Sequence, residues 1–340
     1  YAKNKDGKYV YKHQMNAPED WKIIQPIFGC FFDPHKTDML VKFEKNGSDK
    51  VYIGNLSTKE TLIEKSPNFT HIVADIDNDG CDELIGHNQT VWIKDWNNEF
   101  SEFPYYLSDI SGNQILVSDI NGDGLLDIIL GDNQTNSSVV GTTLYASGWA
   151  NLGIFINAGV TEGKISFFQT KVIKFDDMHI NLHDVADFNG DGLPDILYGI
   201  MDGKLDVGVK KSMYEFENKQ SILYNRGGLV FEDKRLNDSY DMAYPFTEKE
   251  NNKNDIKVGD FNGDGKADLL FLSARYTMKS DASRNRDPNG VWGEWKGATI
   301  AFYTSTGESF RLESKKTISE ERNCFLKSSI QIHDLNNNGI

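Results

Sequence analysis

An all-β protein built from repeated units of four short strands is what this sequence predicts, and three observations predict it. A nine-residue acidic segment recurs along the chain, as DIDNDGCDE from Asp75, DINGDGLLD from Asp119, DFNGDGLPD from Asp187 and DFNGDGKAD from Asp260, with a cut-off DLNNNGI from Asp334. Short apolar runs flank the complete copies. Glycine is abundant at 30 residues, proline is scarce at 8 and aromatics reach 12%, a balance that suits a sheet-rich, turn-rich chain and excludes a disordered or collagen-like one.

Each element of the unit has its own signal. Apolar residues alternate before the acidic segment, as at Ile115 and Val117 or Ile256 and Val258, and predict a first strand; Ile128-Ile129-Leu130 and Leu269-Leu270-Phe271 follow it and predict a second. A third strand is predicted at Val51-Tyr52-Ile53, Val91-Trp92-Ile93, Ile154-Phe155-Ile156, Ile222-Leu223-Tyr224 and Ile300 to Tyr303. A fourth closes most units, at Ile165 to Phe168, Leu229 to Phe231 and Phe310 to Leu312. Four short strands per unit, joined by turns, predict the blade of a β-propeller. A degenerate copy from Phe31 to Val41 precedes Asp75, so six unit starts are recognisable. Residues 23–340 are expected to form the propeller, its last blade incomplete, with residues 1–22 a lead-in that contributes closure strands.

The later units are longer, and their extra residues fall between the second and third strands, at Asp132 to Asn151, Ile200 to Gln220 and Ala274 to Ala298. Successive turns of an up-and-down blade alternate between its two ends, so these insertions should gather on the face opposite the acidic segments. They carry Tyr145, Trp149, Tyr214, Phe216, Tyr276, Trp292 and Trp295, residue types enriched at contact surfaces.

The spacing within the acidic segments suits a hard cation, which takes six to eight oxygens in flexible geometry. In the second segment Asp119, Asn121 and Asp123 offer side-chain oxygens, Leu125 its backbone carbonyl, and Asp127 both carboxylate oxygens, while Gly124 permits the turn. The same assignment holds for Asp187, Asn189, Asp191, Leu193 and Asp195, and for Asp260, Asn262, Asp264, Lys266 and Asp268. Asp75, Asp77, Asp79, the carbonyl of Cys81 and Glu83 make the remaining complete set. Calcium is therefore expected at four sites, with a fifth, charge-poor candidate at Asp334, Asn336 and Asn338. An EF-hand is excluded, because Gly86, Leu130, Tyr198 and Phe271 stand where its twelfth-position Glu would be and β-type runs flank the loops.

The net charge of −15 opposes binding to nucleic acid or to an anionic membrane, and four divalent cations would offset more than half of it. No apolar run approaches the length of a membrane span. Cys30, Cys81 and Cys324 contain no C-x-x-C pair, so neither a zinc site nor a disulfide framework is indicated, although one bridge among them is open. Seven N-x-S/T sequons, among them Asn55 and Asn133, fit a secreted chain.

Strand, D-x-[DN]-x-D-G-x-x-[DE], strand, then a third strand ending in an Asn-x-Gly-like turn resembles the FG-GAP or VCBS repeat of integrin α-subunit propellers and of many bacterial surface and toxin proteins. The resemblance runs from about Ile23 to the end. It implies seven blades of four antiparallel strands, with calcium loops joining first and second strands on one face and partner contacts on the other. The function it implies is a non-catalytic extracellular recognition or adhesion propeller that binds a protein or glycan. Alternatives are a structural propeller within a larger RHS-repeat or Tc-type toxin or surface assembly, or an enzyme akin to a polysaccharide lyase. Against the enzyme, the chain has no nucleophile elbow, H-E-x-x-H or phosphate loop. His179 and His183, near Asp184, invite a metal or base reading, but a spacing of four does not align two side chains on a strand, which favours structural roles.

Overall fold

Why the second and third strands of these units are apolar on consecutive positions is answered by their place in the computed structural model. It describes residues 2–3, 9–10, 16–33, 35, 37–48, 50–65, 71–86, 90–94, 100–104, 114–140, 143–161, 164–176, 179–202, 205–206, 217–236, 250–277 and 294–318. These are organised as antiparallel sheets, most of them of four strands, and the chain divides into two compact units, residues 1–111 with 159–165 and residues 112–158 with 166–340.

In the first unit β1 (Ala2–Lys3) and β2 (Tyr9–Val10) form a two-stranded sheet. The described strands of the lead-in thus pair with each other. Next, β3 (Trp21–Gly29), β4 (Asp38–Lys45), β5 (Val51–Asn55) and β6 (Glu60–Lys65) make one antiparallel meander. A second is made by β7 (His71–Ala74), β8 (Glu83–Gly86), β9 (Thr90–Lys94) and β10 (Phe100–Pro104). Ile27, Phe31, Leu40, Ile53 and Ile63 pack with Leu84 and Val73 of the next sheet, and Trp21 stacks on Phe43 over the other face of the first sheet at 3.6 Å between ring centroids. The bend from Cys30 to Asp38 occupies the place of an acidic segment, with Cys30, Phe32 and Pro34 where its first three ligand residues would stand. Phe31, fully buried, holds the position of Ile76, Ile120 and Phe188 in the acidic copies, and Asp38 accepts the Phe32 N–H at 2.8 Å. The degenerate copy thus keeps the apolar peg and the closing carboxylate, and has lost the first acid, replaced by Cys30, and the acids and glycines between peg and close.

The second unit contains β11 (Gln114–Ser118), β12 (Asp127–Val140) and, apart from residues 159–165, β13 (Thr143–Thr161) and β14 (Lys164–Phe175), in sequential order. It continues with β15 (His179–Ala186), β16 (Asp195–Asp202), β17 (Leu205–Asp206), β18 (Glu217–Asn225) and β19 (Phe231–Arg235), of which β17 pairs with β13 and the rest form a four-stranded sheet. Last come β20 (Glu250–Gly259), β21 (Asp268–Thr277), β22 (Glu294–Ser305) and β23 (Phe310–Ile318). The β15–β19 sheet is buried on both faces. Ile196, Tyr198, Ile200 and Leu223 join Ile129 and Ile154 in one apolar layer, whereas Leu197, Ile222 and Tyr224 join Leu269, Phe271 and Tyr303 in the next. Alternate side chains of a strand point to opposite faces, so a strand sandwiched between two layers must be apolar at every position.

Two expectations are corrected in detail. The fourth strand expected from Leu229 begins at Phe231, because Leu229 is left-handed at φ 60° and completes the turn opened by Gly227 and Gly228, with the Val230 N–H on the Gly227 carbonyl at 3.1 Å. The insertions, in their described parts, are strand and not loop. Asp132–Val140 pairs with Thr143–Asn151 throughout, and Ile200–Asp202 and Ala274–Thr277 are likewise extended pairs. All three lie at the strand ends remote from the acidic bends, as the alternation of turns requires. Of the insertion aromatics, Trp149 is partly buried, Tyr214, Phe216 and Trp292 lie outside the described residues, and Tyr145, Tyr276 and Trp295 sit on described backbone.

Consecutive sheets of this unit are tied by polar bonds as well as by apolar layers. The Ala267 N–H donates to the Asp187 carbonyl at 2.8 Å, and the Ser305 hydroxyl donates to the Phe188 carbonyl. Between the two preceding bends Pro194, which has no N–H, stands where Ala267 donates, and the Asn225 amide, the counterpart of the Ser305 hydroxyl, donates to the Ile120 carbonyl at 2.8 Å. At the first-strand edge, Asn133 donates to the Ile180 carbonyl and accepts its N–H, and Gln114 also donates to that carbonyl. Both the oxygen and the nitrogen of the Asn133 amide are therefore engaged within the protein. Replacing Asn225 by Ala leaves the Ile120 carbonyl without this donor and is expected to destabilise the chain by about 1–3 kcal/mol, read as an earlier urea midpoint with an unchanged slope; an unaltered midpoint contradicts the seam role.

Candidate metal centres

Each acidic segment is a bend between the first and second strands of a sheet, and its first carboxylate organises it. Asp119 accepts the N–H groups of Gly122 and Asp123 on one oxygen, at 2.7 and 3.0 Å, and that of Gly124 on the other at 2.8 Å. Asn121 accepts the Asp123 N–H at 2.9 Å, and Asp123 in turn accepts the Leu125 N–H at 2.9 Å. Asp187, Asn189 and Asp191 repeat the set, as do Asp260, Asn262 and Asp264. Asp75 accepts from Asp79 and Gly80, Asp77 from Asp79, and Asp79 from Cys81. Winding so many amides around one side chain needs left-handed backbone at two positions. The sixth is glycine in every copy, and the fourth is Gly122, Gly190, Gly263 or, at φ 61°, Asn78, the residue type that tolerates this conformation best after glycine. The fourth-position requirement is visible in the sequence only as a recurrent G or N.

The ninth residue does something the spacing alone does not reveal. Glu83, Asp127, Asp195 and Asp268 are at most 1% exposed. One oxygen of each accepts the N–H of the second residue in its own bend, namely Ile76, Ile120, Phe188 and Phe261, at 2.9–3.0 Å. The other oxygen of Asp127, Asp195 and Asp268 accepts the N–H at the end of the third strand, from Asn157, Asn225 and Ser305, each at 2.8 Å. These carboxylates therefore close the bend and clamp it to the third strand, besides presenting oxygen to its interior. Burial pushes the carboxyls of Asp127 and Asp195 up to about 6, against the opposing pull of their N–H donors. Glu83 rises to about 8 through burial and then the charge of Asp77, and burial raises Asp268 as well.

As a donor set the bends fit a hard cation, since everything they offer is oxygen. The first is the most concentrated, with carboxylate oxygens of Asp75, Asp77 and Glu83 all within 4.8 Å of one another. In the other three the middle carboxylate is turned towards the asparagine amide, Asn121 on Asp123 at 2.8 Å, Asn189 on Asp191 at 2.9 Å and Asn262 on Asp264 at 3.3 Å. The last bend also carries its own cation, the Lys266 amine 3.2 Å from Asp264. Among the described residues, three of the expected carboxylates converge only in the Asp75 bend, without Asp79, and in every bend the N–H groups of Cys81, Leu125, Leu193 and Lys266 anchor the middle acid. Asp334, Asn336 and Asn338 lie outside the described residues. His179 and His183 engage different surroundings: His179 Nε2 is 3.1 Å from the Gln134 carbonyl, while His183 sits at a β-bulge, its Nδ1 3.5 Å from the Asn181 amide.

Residues 119–198 match the FG-GAP-like repeat family. That segment holds two complete bends, from Asp119 and from Asp187, and the bonding found in them recurs at Asp260 and, in most of its contacts, at Asp75. No match was found among curated proteins. Among solved structures, an Agrocybe aegerita lectin described as recognising non-reducing terminal N-acetylglucosamine is 15% identical, covering 87% of this chain and 90% of its own, with a TM-score of 0.26. A member of the DUF4221 family from Bacteroides vulgatus is 8% identical, covering 89% and 84%, with a TM-score of 0.33. Scores this low do not establish a shared fold.

The raised ninth-position carboxyls have a direct consequence for the cation-free chain. A group whose pKa is higher folded than unfolded stabilises the fold when protonated, and the benefit disappears as pH climbs through the folded value. In chelator, stability is therefore expected to be highest near the ordinary carboxylate range, about pH 4, and to fall through about 6 for Asp127 and Asp195 and about 8 for Glu83. Saturating divalent cation should abolish the fall; melting curves from pH 5 to 9 with and without chelator read both, and a flat profile in chelator contradicts it. Separately, Lys266→Ala removes the internal competitor and is expected to tighten cation binding at the Asp260 bend by up to about fivefold, the range of an exposed ion pair, measured by competition against a fluorescent chelator; unchanged or weaker binding contradicts the competitor role.

Proposed function

We propose that this chain is a calcium-stabilised, non-catalytic recognition propeller that works outside the cell and binds a protein or glycan. The observation that carries the reading is the recurrence of one all-oxygen bend, with the same main-chain bonding, at the same place in successive four-stranded sheets. Oxygen-only donors in a flexible loop favour calcium over magnesium, which demands stricter octahedral geometry and retains water. The glycine-bearing bends serve as staples between first and second strands, and their carboxylates repel one another less once a cation lies between them. Sites of this kind fill at the calcium concentrations found outside cells, which is the reason for an extracellular assignment.

The partner surface in this reading is the opposite set of strand ends, where β12–β13 runs on past its first strand from Asp132 to Val140, while β16–β18 and β21–β22 are accompanied by their first strands to or nearly to their ends. A surface carried on paired strands positions its contacts better than one carried on free loops. Calcium titration calorimetry tests the proposal: binding at about four sites per chain, one per complete bend, with weaker binding of magnesium and a lower melting midpoint in chelator, is the expected result. Asp77→Asn should remove one site and leave the other three. A chain that takes up no calcium and melts identically in chelator overturns the reading.

A further inference from the structure

Cys30 and Cys81 stand about fifty residues apart in the chain, and nothing in their spacing pairs them. The fold does. The Asp82 N–H donates to the Cys30 carbonyl at 2.9 Å, and the Cys30 N–H donates to the Asp82 carboxylate at 2.6 Å, so the residue that follows Cys81 is bonded twice to Cys30. Standard bond lengths across one such contact leave the two cysteine Cα atoms roughly 5–7 Å apart, the range over which a disulfide closes. Both are present as thiols in the structure, Cys30 half-buried and Cys81 buried.

The direction of the Cys81 side chain follows from the equivalent pair of bends in the second unit. There Ala267 donates its N–H to Asp187 as Asp82 does to Cys30, and the Lys266 side chain lies over the preceding bend, its Cγ 3.1 Å from where a Cβ on Gly190 would be. Lys266 is the seventh residue of its bend, as Cys81 is of its own. Asp187, the first residue of the preceding bend, directs its carboxylate at the Gly190 N–H, and Cys30 takes that first place in the degenerate bend. First and seventh residues of neighbouring bends thus converge on the same spot, and in the first unit both are cysteine.

We propose that Cys30 and Cys81 close an intramolecular disulfide that staples the degenerate bend to the acidic bend beside it. The oxidant is a small-molecule or protein disulfide, R–S–S–R. The half-exposed Cys30 thiol loses its proton and attacks one sulfur, forming Cys30–S–S–R and releasing R–SH. The Cys81 thiol then loses its proton and attacks the Cys30 sulfur, breaking the mixed disulfide and releasing the second R–SH, so that two protein thiols are oxidised and one R–S–S–R is reduced to two thiols. The pairing stands on the backbone bonds and is independent of what the acidic bends bind.

The test is peptide mapping of the full chain after equilibration with oxidised glutathione, blocking with N-ethylmaleimide and proteolysis without reduction. The expected result is a linked peptide pair containing Cys30 and Cys81, two hydrogens lighter than its separate halves and lost on reduction. Oxidation should raise the melting midpoint by roughly 3–8 °C. Cys30→Ser, which keeps both backbone bonds, should lose that increment. Recovery of Cys81 linked to Cys324, of glutathione adducts on both residues, or of two N-ethylmaleimide-blocked thiols overturns the proposal, and because the map uses the unsubstituted chain its outcome stands even if the variant fails to fold.

Discussion

A buried carboxylate that accepts one N–H from its own bend and another from a strand some thirty residues away is the constraint on which this architecture rests. Asp127, Asp195 and Asp268 each do this, and each thereby fixes the angle at which the first hairpin of a sheet meets the third strand. An ionised group taken out of water needs compensation. Main-chain donors supply part of it, and the shared first-position carboxylate, wrapped by three amides in the bends from Asp119, Asp187 and Asp260, keeps the rest of the bend in register. The bend is therefore a folded object in its own right, a nest of N–H groups closed around carboxylates.

Stacking follows from the same units. A sheet whose two faces are both apolar cannot stand alone, and β15–β19 shows how the demand is met, with odd and even residues of β16 and β18 divided between two layers. The polar seams run along the two edges of these layers. At the bend end they are made by main-chain or short side-chain donors, at the first-strand edge by the amides of Gln114 and Asn133, which answer the open N–H and C=O groups of β15 that no neighbouring strand would otherwise reach.

Much of this was legible in the residues because it is local. Strand positions followed from apolar pairs, and the bends from acids and glycines at fixed offsets, since the bonds that wind each bend around its first carboxylate span at most five residues. What escaped was non-local or stereochemical. The second partner of Asp127 is the N–H of Asn157, thirty positions on, and any residue but proline supplies an N–H, so no letter in the sequence marks it. The delayed start of β19 depends on Leu229 adopting a backbone conformation that its side chain disfavours, a choice imposed by the two glycines before it. The Cys30 bend was recognisable as degenerate, but its retention of the apolar peg at Phe31 and the closing acid at Asp38 emerged only with coordinates.

Pro194 sets one pair of bends apart. Where Ala267 and Asp82 offer a main-chain donor to the bend before them, the ring nitrogen of Pro194 can offer none, and the contact to Ile120 is carried by an asparagine side chain. A main-chain donor survives every point mutation but one to proline, whereas a side-chain donor is lost to almost any change. The seam between the Asp119 and Asp187 bends therefore hangs on a replaceable side chain, whereas the seam between the Asp187 and Asp260 bends keeps the Ala267 main-chain bond even when the Ser305 hydroxyl is lost.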